Sequence, residues 1–339
     1  MLKFEHGGDI KAFAKSIKSK EKDIIDLSSN INFIKPKIKT DFNQLEISAY
    51  PTYSKIYKQI AKLYGIKISQ MELFNGGSSA IFSLFSQLNL KDCTIYSPAY
   101  LEYKKASEIF NYNLHLINRF DNIYDSIKKN SFVIFVNPST PDGKYYDLDK
   151  LFKIWKKANA TVLMDESFLD FTNYPSTIKY LKTYKKLYIL KSMTKIYSSA
   201  GIRIGTLISN KNNIKNLKNK QPAWKLSQFD TNYLSQALKD KSFIKKSINI
   251  NKKNKKYLKK ILLNSNLFET IHTSKGNYIL AKLKSLKAQE FQEILKSSKI
   301  MIRNCSNFDF LDNTYVRIAV KSKKKLSILN DSLNKIIEK

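Results

Sequence analysis

Cysteine, arginine and long apolar runs are scarce in this 339-residue chain. The two cysteines, Cys93 and Cys305, stand far apart, which excludes a disulfide framework and a cysteine-bound metal and is typical of a reducing compartment. No apolar run reaches the ~20 residues that a membrane helix needs. The opening stretch MLKFEHGGDIKAF has neither an apolar core nor a small-residue cleavage site. The sequence thus predicts a cytoplasmic protein with no metal and no membrane partner.

Basic residues outnumber acidic ones by 60 to 28, which gives a formal net charge of +32. Such a charge suits a nucleic acid or an anionic ligand, or it reflects a lysine-rich composition that spreads charge over every face. The lysines are scattered through the chain instead of forming one block, which favours the second interpretation. We therefore predict no nucleic-acid partner, although the overall field still attracts a small anionic substrate.

Arginine is rare among these basic residues, so each arginine is a candidate for a site that needs its planar, two-pronged donor group. The four arginines are Arg119, Arg203, Arg303 and Arg317. Arg203 stands in the stretch KSMTKIYSSAGIRIG, between two glycines. That setting indicates a residue that clamps an anion against closely approaching backbone.

Short apolar runs alternate with amphipathic stretches through the first two thirds of the chain. Six runs are typical of buried strands, and they cover residues 93–98, 114–118, 131–138, 161–167, 186–192 and 202–209. The alternation predicts an α/β fold with a mostly parallel sheet covered by helices. After about residue 235, lysine-rich helical patterns surround the runs NYILAKL and YVRIAV, which predicts a smaller α+β domain.

Polar side chains follow three of these predicted strands. Asn137 follows FVIFV, Asp165 follows TVLM, and the segment from Ser192 to Lys195 follows LYIL. Ligands of open α/β sheets bind at the carboxyl ends of the strands. Each residue alone is weak evidence, because Asn-Pro is common in turns and aspartate often caps helices. Together they describe a pyridoxal phosphate site, with an amide for the ring oxygen, a carboxylate for the ring nitrogen and a lysine for covalent attachment.

The motifs around these residues resemble those of fold-type I pyridoxal-phosphate enzymes, in the branch of histidinol-phosphate aminotransferases and threonine-phosphate decarboxylases. NGGSSAIF at 75–82 resembles the helix start that receives the cofactor phosphate, and NPSTPDG at 137–143 resembles the NPxxPxG turn. The resemblance implies a homodimer whose large domain has a mostly parallel seven-stranded sheet. The implied divisions are an N-terminal segment 1–45 that packs with the small domain, a large cofactor-binding domain 46–235 and a small domain 236–339.

The resemblance also implies roles for individual residues. Lys195 binds the cofactor covalently, Asp165 keeps its ring nitrogen protonated, and Tyr103 stacks on its ring; these three are the implied catalytic residues. The other implied cofactor ligands are Gly77, Ser78, Asn137, Ser192, Arg203 and, reaching into the partner subunit, Tyr50. The implied substrate ligands are His6, Asn32, Arg303 and Arg317.

Transamination and decarboxylation share nearly all of this machinery. Three features favour the decarboxylase branch: HGGDI at 6–10, SSNIN at 28–32, and Phe168 where the aminotransferases usually have tyrosine. The resemblance therefore predicts decarboxylation of threonine phosphate to aminopropanol phosphate, for cobalamin biosynthesis, or of serine phosphate to ethanolamine phosphate. An aminotransferase that uses histidinol phosphate or a similar phosphorylated amine stays open as the alternative. A nucleic-acid-binding protein built on an old enzyme fold predicts a damaged cofactor site, whereas the motif residues are all present.

Overall fold

The computed structural model describes residues 6–39 and 41–337. The strands of this part of the chain are β1 (Ile25–Asp26), β2 (Met71–Asn75), β3 (Asp92–Ser97), β4 (Asn113–Asn118), β5 (Phe132–Val136), β6 (Thr161–Asp165), β7 (Leu187–Ser192), β8 (Ile204–Ile208), β9 (Phe268–Ile271), β10 (Tyr278–Leu283), β11 (Ile300–Met301), β12 (Arg303–Asn304) and β13 (Tyr315–Ala319).

The α-helices of the same residues are α1 (Ile10–Ser16), α2 (Ser54–Tyr64), α3 (Gly76–Gln87), α4 (Leu101–Ile109), α5 (Asp149–Lys157), α6 (Met193–Ile196), α7 (Lys211–Lys218), α8 (Gln228–Ala237), α9 (Phe243–Asn264), α10 (Ala288–Lys296) and α11 (Lys323–Ile337). Within the part of the chain that the structure describes, none of the helices combines the length and apolar character needed to span a bilayer.

Seven strands form the large sheet in the order β2-β8-β7-β6-β5-β3-β4. Strand β8 runs antiparallel to both of its neighbours, and all other pairs are parallel, which confirms the predicted mostly parallel sheet. The sequence patterns do not predict β2, because Glu72 interrupts its apolar run. In the structure Glu72 is buried, accepts a hydrogen bond from Tyr57 Oη at 2.7 Å, and pairs with Lys225 Nζ at 2.5 Å.

Helices cover both faces of the large sheet, so its central strands are apolar at almost every position. Side chains of β5 alternate between two cores: Val133 and Phe135 pack into one, and Phe132 and Ile134 into the other. Helices α2, α5 and α8 contribute to the first core, and α3, α4 and α7 to the second. A strand buried on both faces loses the polar alternation of a half-exposed strand, which is why the runs appear continuous in the sequence.

A second sheet, with the order β12-β13-β10-β9, is antiparallel throughout and packs with α9, α10 and α11 around a separate core. Strands β10 and β13 confirm the runs expected there. The N-terminal segment adds Ile25 and Leu27 to this core, and β1 pairs with β11 in parallel. The divisions at residues 45 and 235 stay a prediction.

Candidate active site

A cavity lies at the carboxyl ends of β5, β6 and β7, between the large sheet and the small antiparallel sheet. Ten of the predicted site residues line it together: His6, Gly77, Ser78, Tyr103, Asp165, Ser192, Lys195, Arg203, Arg303 and Arg317. The cavity forms at this edge because parallel strands end side by side there, so that the residues following them converge.

Lys195 sits in the single helical turn α6, directly after β7. Burial, together with the positive charges of Arg317 and Arg203, lowers the pKa of Lys195 to about 8, while Asp165 acts in the opposite direction. A lysine with such a pKa is partly neutral near neutral pH. It can therefore attack a carbonyl carbon, which an ordinary surface lysine does poorly.

Asp165 is the last residue of β6 and is buried at the floor of the cavity. Burial raises its pKa, whereas hydrogen bonds from Ser167 and Tyr103 act against that rise. The backbone N–H of Ser167 donates to Oδ1 at 2.7 Å, and the Tyr103 hydroxyl donates to Oδ2. A buried carboxylate gains stability from a cation placed beside it. A protonated pyridine nitrogen is such a cation, so Asp165 fits this part of the cofactor.

The start of α3 forms an anion cradle together with Arg203. The first N–H groups of a helix have no partner inside it, and they suit a phosphate. Gly76, at φ +79°, begins α3, and a side chain there would collide with the Arg203 guanidinium. A Cβ on Gly205 would lie 2.6 Å from the carbonyl carbon of Gly76. The two glycines thus let β8, α3 and Arg203 meet closely.

Gly77, Ser78, Ser192 and Arg203 all line the cavity at this cradle. Nη1 of Arg203 donates to the carbonyl of Ala200 at 2.9 Å, and this hydrogen bond orients the guanidinium group. Ser192 Oγ lies 2.9 Å from Thr194 Oγ1. Backbone amides, hydroxyls and one guanidinium therefore surround a space suited to the cofactor phosphate.

Tyr103, which is predicted to stack on the cofactor ring, is one of the residues that line the cavity. Its side chain is completely buried, and its hydroxyl is used by Asp165. Tyr100, which precedes α4, is half-buried and also lines the cavity, with its hydroxyl 3.3 Å from Ser78 Oγ. The motif SPAYLEY contains both tyrosines, and its spacing alone does not tell which ring faces the ligand.

The structure does not bring Asn137 into the cavity. Its Nδ2 donates to the carbonyl of Tyr146 at 3.1 Å, and its Oδ1 accepts from the N–H of Tyr146 at 3.0 Å. The amide therefore closes the NPSTPDG turn with its Oδ1 and with one of the two N–H groups of its Nδ2. Thr140, from the same turn, lines the cavity instead.

Asn32 is also outside the cavity, against the prediction that it binds substrate. Its Nδ2 donates to the carbonyl of Ile196 at 2.8 Å and to Ser247 Oγ at 3.0 Å, and the residue is 1% exposed. Asn30 lines the cavity, is buried, and has no hydrogen-bond partner for its Oδ1. The sequence motif SSNIN offers two asparagines, and the one at position 30 reaches the ligand space.

Arg303 and Arg317 enter the cavity from neighbouring strands of the small sheet. Arg303 Nη2 donates to Asn307 Oδ1 at 2.7 Å, and its guanidinium lies 5.2 Å from the centre of the Phe308 ring. Arg317 donates from Nη1 to Thr140 Oγ1 at 2.9 Å and from Nη2 to the carbonyl of Ser28 at 3.1 Å. Both side chains are therefore held in place before any ligand arrives.

Two predicted residues lie nearer the surface. His6 lines the cavity rim, where its Nε2 is 2.8 Å from Glu102 Oε1 and its ring lies 5.4 Å from that of Tyr100. Tyr50 is 72% exposed and stacks on Trp224 with a distance of 4.1 Å between the ring centres. Tyr50 does not line the cavity of its own chain.

Three curated proteins illustrate what the chain is similar to. It is 28% identical over 357 residues to the "Adenosylcobalamin biosynthesis bifunctional protein CobDQ" of Leptospira interrogans, covering 98% of this chain and 41% of that protein. It is 28% identical over 340 residues to a histidinol-phosphate aminotransferase of Brachyspira hyodysenteriae, covering 94% of each. It is 27% identical over 360 residues to a "Putative threonine-phosphate decarboxylase" of Caldanaerobacter subterraneus subsp. tengcongensis, covering 100% of this chain and 95% of that protein.

Solved structures share the fold. The histidinol-phosphate aminotransferase of Clostridium acetobutylicum superposes with a TM-score of 0.82 at 26% identity, covering 92% of this chain and 98% of that one. The same enzyme from Sinorhizobium meliloti, solved with pyridoxal-5'-phosphate, gives a TM-score of 0.82 at 14% identity, covering 98% of this chain and 95% of that one. The family model described as aminotransferase class I and II matches residues 22–333. The chain therefore belongs to the aminotransferase class I and II family of pyridoxal-phosphate-dependent enzymes.

Proposed function

We propose that the protein decarboxylates an O-phospho-L-amino acid, threonine phosphate or serine phosphate, and releases aminopropanol phosphate or ethanolamine phosphate. One observation carries the proposal. Arg303 and Arg317 are direct register partners on the antiparallel strands β12 and β13, and both line the cavity that contains Lys195. Two neighbouring guanidinium groups suit a phosphate dianion, because each offers paired N–H donors as well as charge.

The cofactor site is assigned as follows. Lys195 forms the covalent attachment, Asp165 pairs with the ring nitrogen, and the start of α3 with Arg203 holds the phosphate. Tyr100 is the candidate for the aromatic contact with the ring, since its side chain is half-buried at the cavity wall. When bound, the cofactor would supply an electron sink for the bond that breaks at the substrate α-carbon.

The substrate ligands would then decide which bond at the α-carbon is placed for cleavage. If Arg303 and Arg317 hold the phosphate end, they leave the carboxylate end free to take that position. Asn30 and His6 lie on the same cavity and complete the substrate site. The Oδ1 of Asn30 is a buried acceptor without a hydrogen-bond partner among the described residues, and an N–H or O–H group of a bound substrate would satisfy it.

The names of two relatives, from Leptospira and Caldanaerobacter, support the decarboxylase and a place in cobalamin assembly. The Brachyspira relative is equally similar and supports the alternative, an aminotransferase acting on histidinol phosphate. Overall identity therefore does not separate the two reactions. The N-terminal segment does favour the first, because His6 and Gly7 of the HGGDI motif line the cavity.

We also propose that the active unit is a cytoplasmic homodimer in which Tyr50 completes the phosphate site of the partner subunit. The exposure of Tyr50, and of Trp224 against which it stacks, supports this proposal. Two large aromatic side chains that stack together at the surface are typical of an interface.

Product analysis tests the reaction. The purified protein is incubated with pyridoxal phosphate and, in separate reactions, with threonine phosphate, serine phosphate, or histidinol phosphate plus 2-oxoglutarate. We expect carbon dioxide and an amine phosphate from at least one of the first two substrates, and none from the Lys195→Ala variant. Formation of glutamate from histidinol phosphate, with no carbon dioxide from either phosphorylated amino acid, would establish the alternative instead.

A further inference from the structure

The helical turn that carries Lys195 is too short to be stable without hydrogen bonds from other segments. Helix α6 comprises only the four residues Met193–Ile196. Isolated helices below roughly 12–15 residues are marginal in water, and the last four carbonyl groups of any helix have no partner within it. In α6 these are all of the carbonyl groups, so the stability of the turn depends on which groups outside it donate to them.

Two of the four carbonyls are satisfied locally. The carbonyl of Met193 accepts from the N–H of Tyr197 at 3.2 Å, and that of Thr194 accepts from the N–H of Ser199 at 3.0 Å. These bonds close the turn on the side of the chain that follows it. They leave the carbonyl groups of Lys195 and Ile196 to be satisfied from elsewhere.

Asn32 donates a hydrogen bond to each of the two remaining carbonyl groups. Its backbone N–H donates to the carbonyl of Lys195 at 3.0 Å, and its side-chain Nδ2 donates to the carbonyl of Ile196 at 2.8 Å. Asn32 and Ile196 are 164 positions apart in the sequence. Asn32 thus caps the lysine turn from outside, in the way that a capping residue ends a helix of its own chain segment.

Further hydrogen bonds hold the side-chain amide of Asn32 in place. Its Nδ2 also donates to Ser247 Oγ at 3.0 Å, and its Oδ1 accepts from Asn251 Nδ2 at 3.2 Å and from the N–H of Ile34 at 3.2 Å. Ser247 and Asn251 belong to α9, the long helix that packs on the small sheet. The side-chain amide therefore uses both of its donors and both acceptor positions.

We propose that Asn32 is a positioning residue for Lys195, which holds the turn that carries the reactive amine through its two hydrogen bonds to carbonyl groups of that turn. Asn32 does not line the cavity. The proposal rests on the proposed function in one respect only, namely that Lys195 binds the cofactor. A displacement of the reactive group on the order of 1 Å can cost roughly 10²-fold in rate, so the bonds to the two carbonyls matter for the chemistry at Lys195.

The main variant is Asn32→Asp, which keeps the volume and the backbone N–H but replaces the Nδ2 donor by an oxygen that repels the carbonyl of Ile196. Ser247→Ala is the matched control, because it removes one neighbour of Asn32 and leaves both bonds to the lysine turn. Two readouts are used on protein whose fold is checked by circular dichroism. They are the rate at which the cofactor-free protein takes up pyridoxal phosphate, and the pH midpoint of the visible absorbance of the loaded protein.

We expect Asn32→Asp to slow cofactor uptake by roughly 10–100-fold and to shift the pH midpoint of the absorbance. Ser247→Ala should stay close to the unmodified protein in both. A folded Asn32→Asp that matches the control in both readouts overturns the proposal. Loss of thermal stability with unchanged uptake and absorbance also overturns it, because that is the result of a purely structural role.

Hydrogen exchange of the unmodified protein covers the case in which Asn32→Asp does not fold. The N–H of Asn32 should exchange slowly and become slower when the cofactor is bound, since its acceptor is the carbonyl of Lys195. Fast exchange that does not respond to the cofactor overturns the proposal. Borohydride reduction of the loaded, unmodified protein separates the two hypotheses: absence of label on Lys195 refutes the proposed function, whereas label on Lys195 with an unresponsive Asn32 refutes only the positioning role.

Discussion

The phenolic hydroxyl of Tyr103 donates a hydrogen bond to Oδ2 of Asp165 in the interior of the protein. Tyr103 is completely buried, and Asp165 nearly so. Burial and the negative charge of Asp165 raise the pKa of Tyr103, so the hydroxyl keeps its proton and remains a donor. The same bond lowers the pKa of Asp165 against the effect of burial. Tyr103 therefore helps to keep charged the carboxylate that we assign to the cofactor nitrogen.

Tyr103→Phe should weaken cofactor binding. The variant removes one hydrogen bond to a charged group, worth roughly 1.5–3 kcal/mol, which corresponds to a loss of about 10–150-fold in affinity if the cofactor needs the charged carboxylate. Absorbance titration of the cofactor-free protein gives the dissociation constant. Tyr112→Phe is the control, because its hydroxyl donates to the carbonyls of Phe85 and Leu88, and Tyr112 does not line the cavity. Equal affinities of the two variants would contradict the assignment.

The depressed pKa of Lys195 predicts a pH dependence for cofactor uptake. Only the neutral amine attacks, so the rate should rise with pH and level off above the pKa of about 8. Arg317→Met should move this plateau to higher pH, because removing a nearby positive charge favours protonation of the lysine. Arg303→Met serves as the comparison, since the lowering of this pKa arises from burial, Arg317 and Arg203. A plateau that lies near pH 10 in the unmodified protein would show that Lys195 titrates as an ordinary lysine.

The sequence was sufficient to predict which strand ends meet. Asp165 ends β6 and Lys195 follows β7, and the register of these adjacent parallel strands brings their carboxyl ends together. The rarity of arginine was a second useful signal, since three of the four arginines line the cavity. The fourth, Arg119, is buried elsewhere and donates to the carbonyl of Tyr96.

The orientation of individual side chains could not be predicted in the same way. The motif SSNIN contains Asn30 and Asn32, and their roles differ because the carbonyl of Ile196 happens to lie within reach of the second. Likewise, the amide of Asn137 is hydrogen-bonded to Tyr146, and Thr140 is the residue of that turn that lines the cavity. Such outcomes depend on hydrogen-bond partners in other segments, which a local pattern does not contain.

A buried ion pair lies next to the proposed cofactor site, and its loss should reduce the stability of the fold. Lys191 Nζ is 2.7 Å from Glu166 Oε2 and 3.6 Å from Asp170 Oδ1. Burial alone would lower the pKa of Lys191, but the two carboxylates outweigh it and raise that pKa. Lys191→Met leaves buried carboxylates without their cation and should reduce the free energy of unfolding by roughly 3–5 kcal/mol, as measured in urea.

The double variant Lys191→Met/Glu166→Gln is the control for this pair. It removes one of the uncompensated charges, so it should be more stable than Lys191→Met alone. Additive losses in the two single variants would indicate that Lys191 and Glu166 do not interact energetically.

The variant Tyr50→Phe tests the proposed homodimer. Tyr50→Phe keeps the ring that stacks on Trp224 and removes only the hydroxyl. Light scattering should therefore show an unchanged dimer, while cofactor titration shows weaker binding because one donor to the partner's phosphate site is lost. Tyr53→Phe is a suitable control, since its hydroxyl donates to the carbonyl of Leu226 within the same chain. A monomer with full activity would rule out the shared site.

Arg303 and Arg317 should control which bond of the substrate breaks. Their positions as register partners allow both guanidinium groups to grip one phosphate, and that grip orients the α-carbon. Replacing either one by lysine keeps the charge but loses the paired donors. We expect carbon dioxide release to fall by at least about tenfold, the equivalent of one charge-assisted hydrogen bond, and a keto product of abortive transamination to appear.

Unphosphorylated threonine and serine should be very poor substrates, because the binding energy that orients them is missing. Assays of carbon dioxide and keto acid on the same samples measure both effects. If both lysine variants keep full turnover, or if unphosphorylated amino acids react as fast as phosphorylated ones, the two arginines do not orient the substrate.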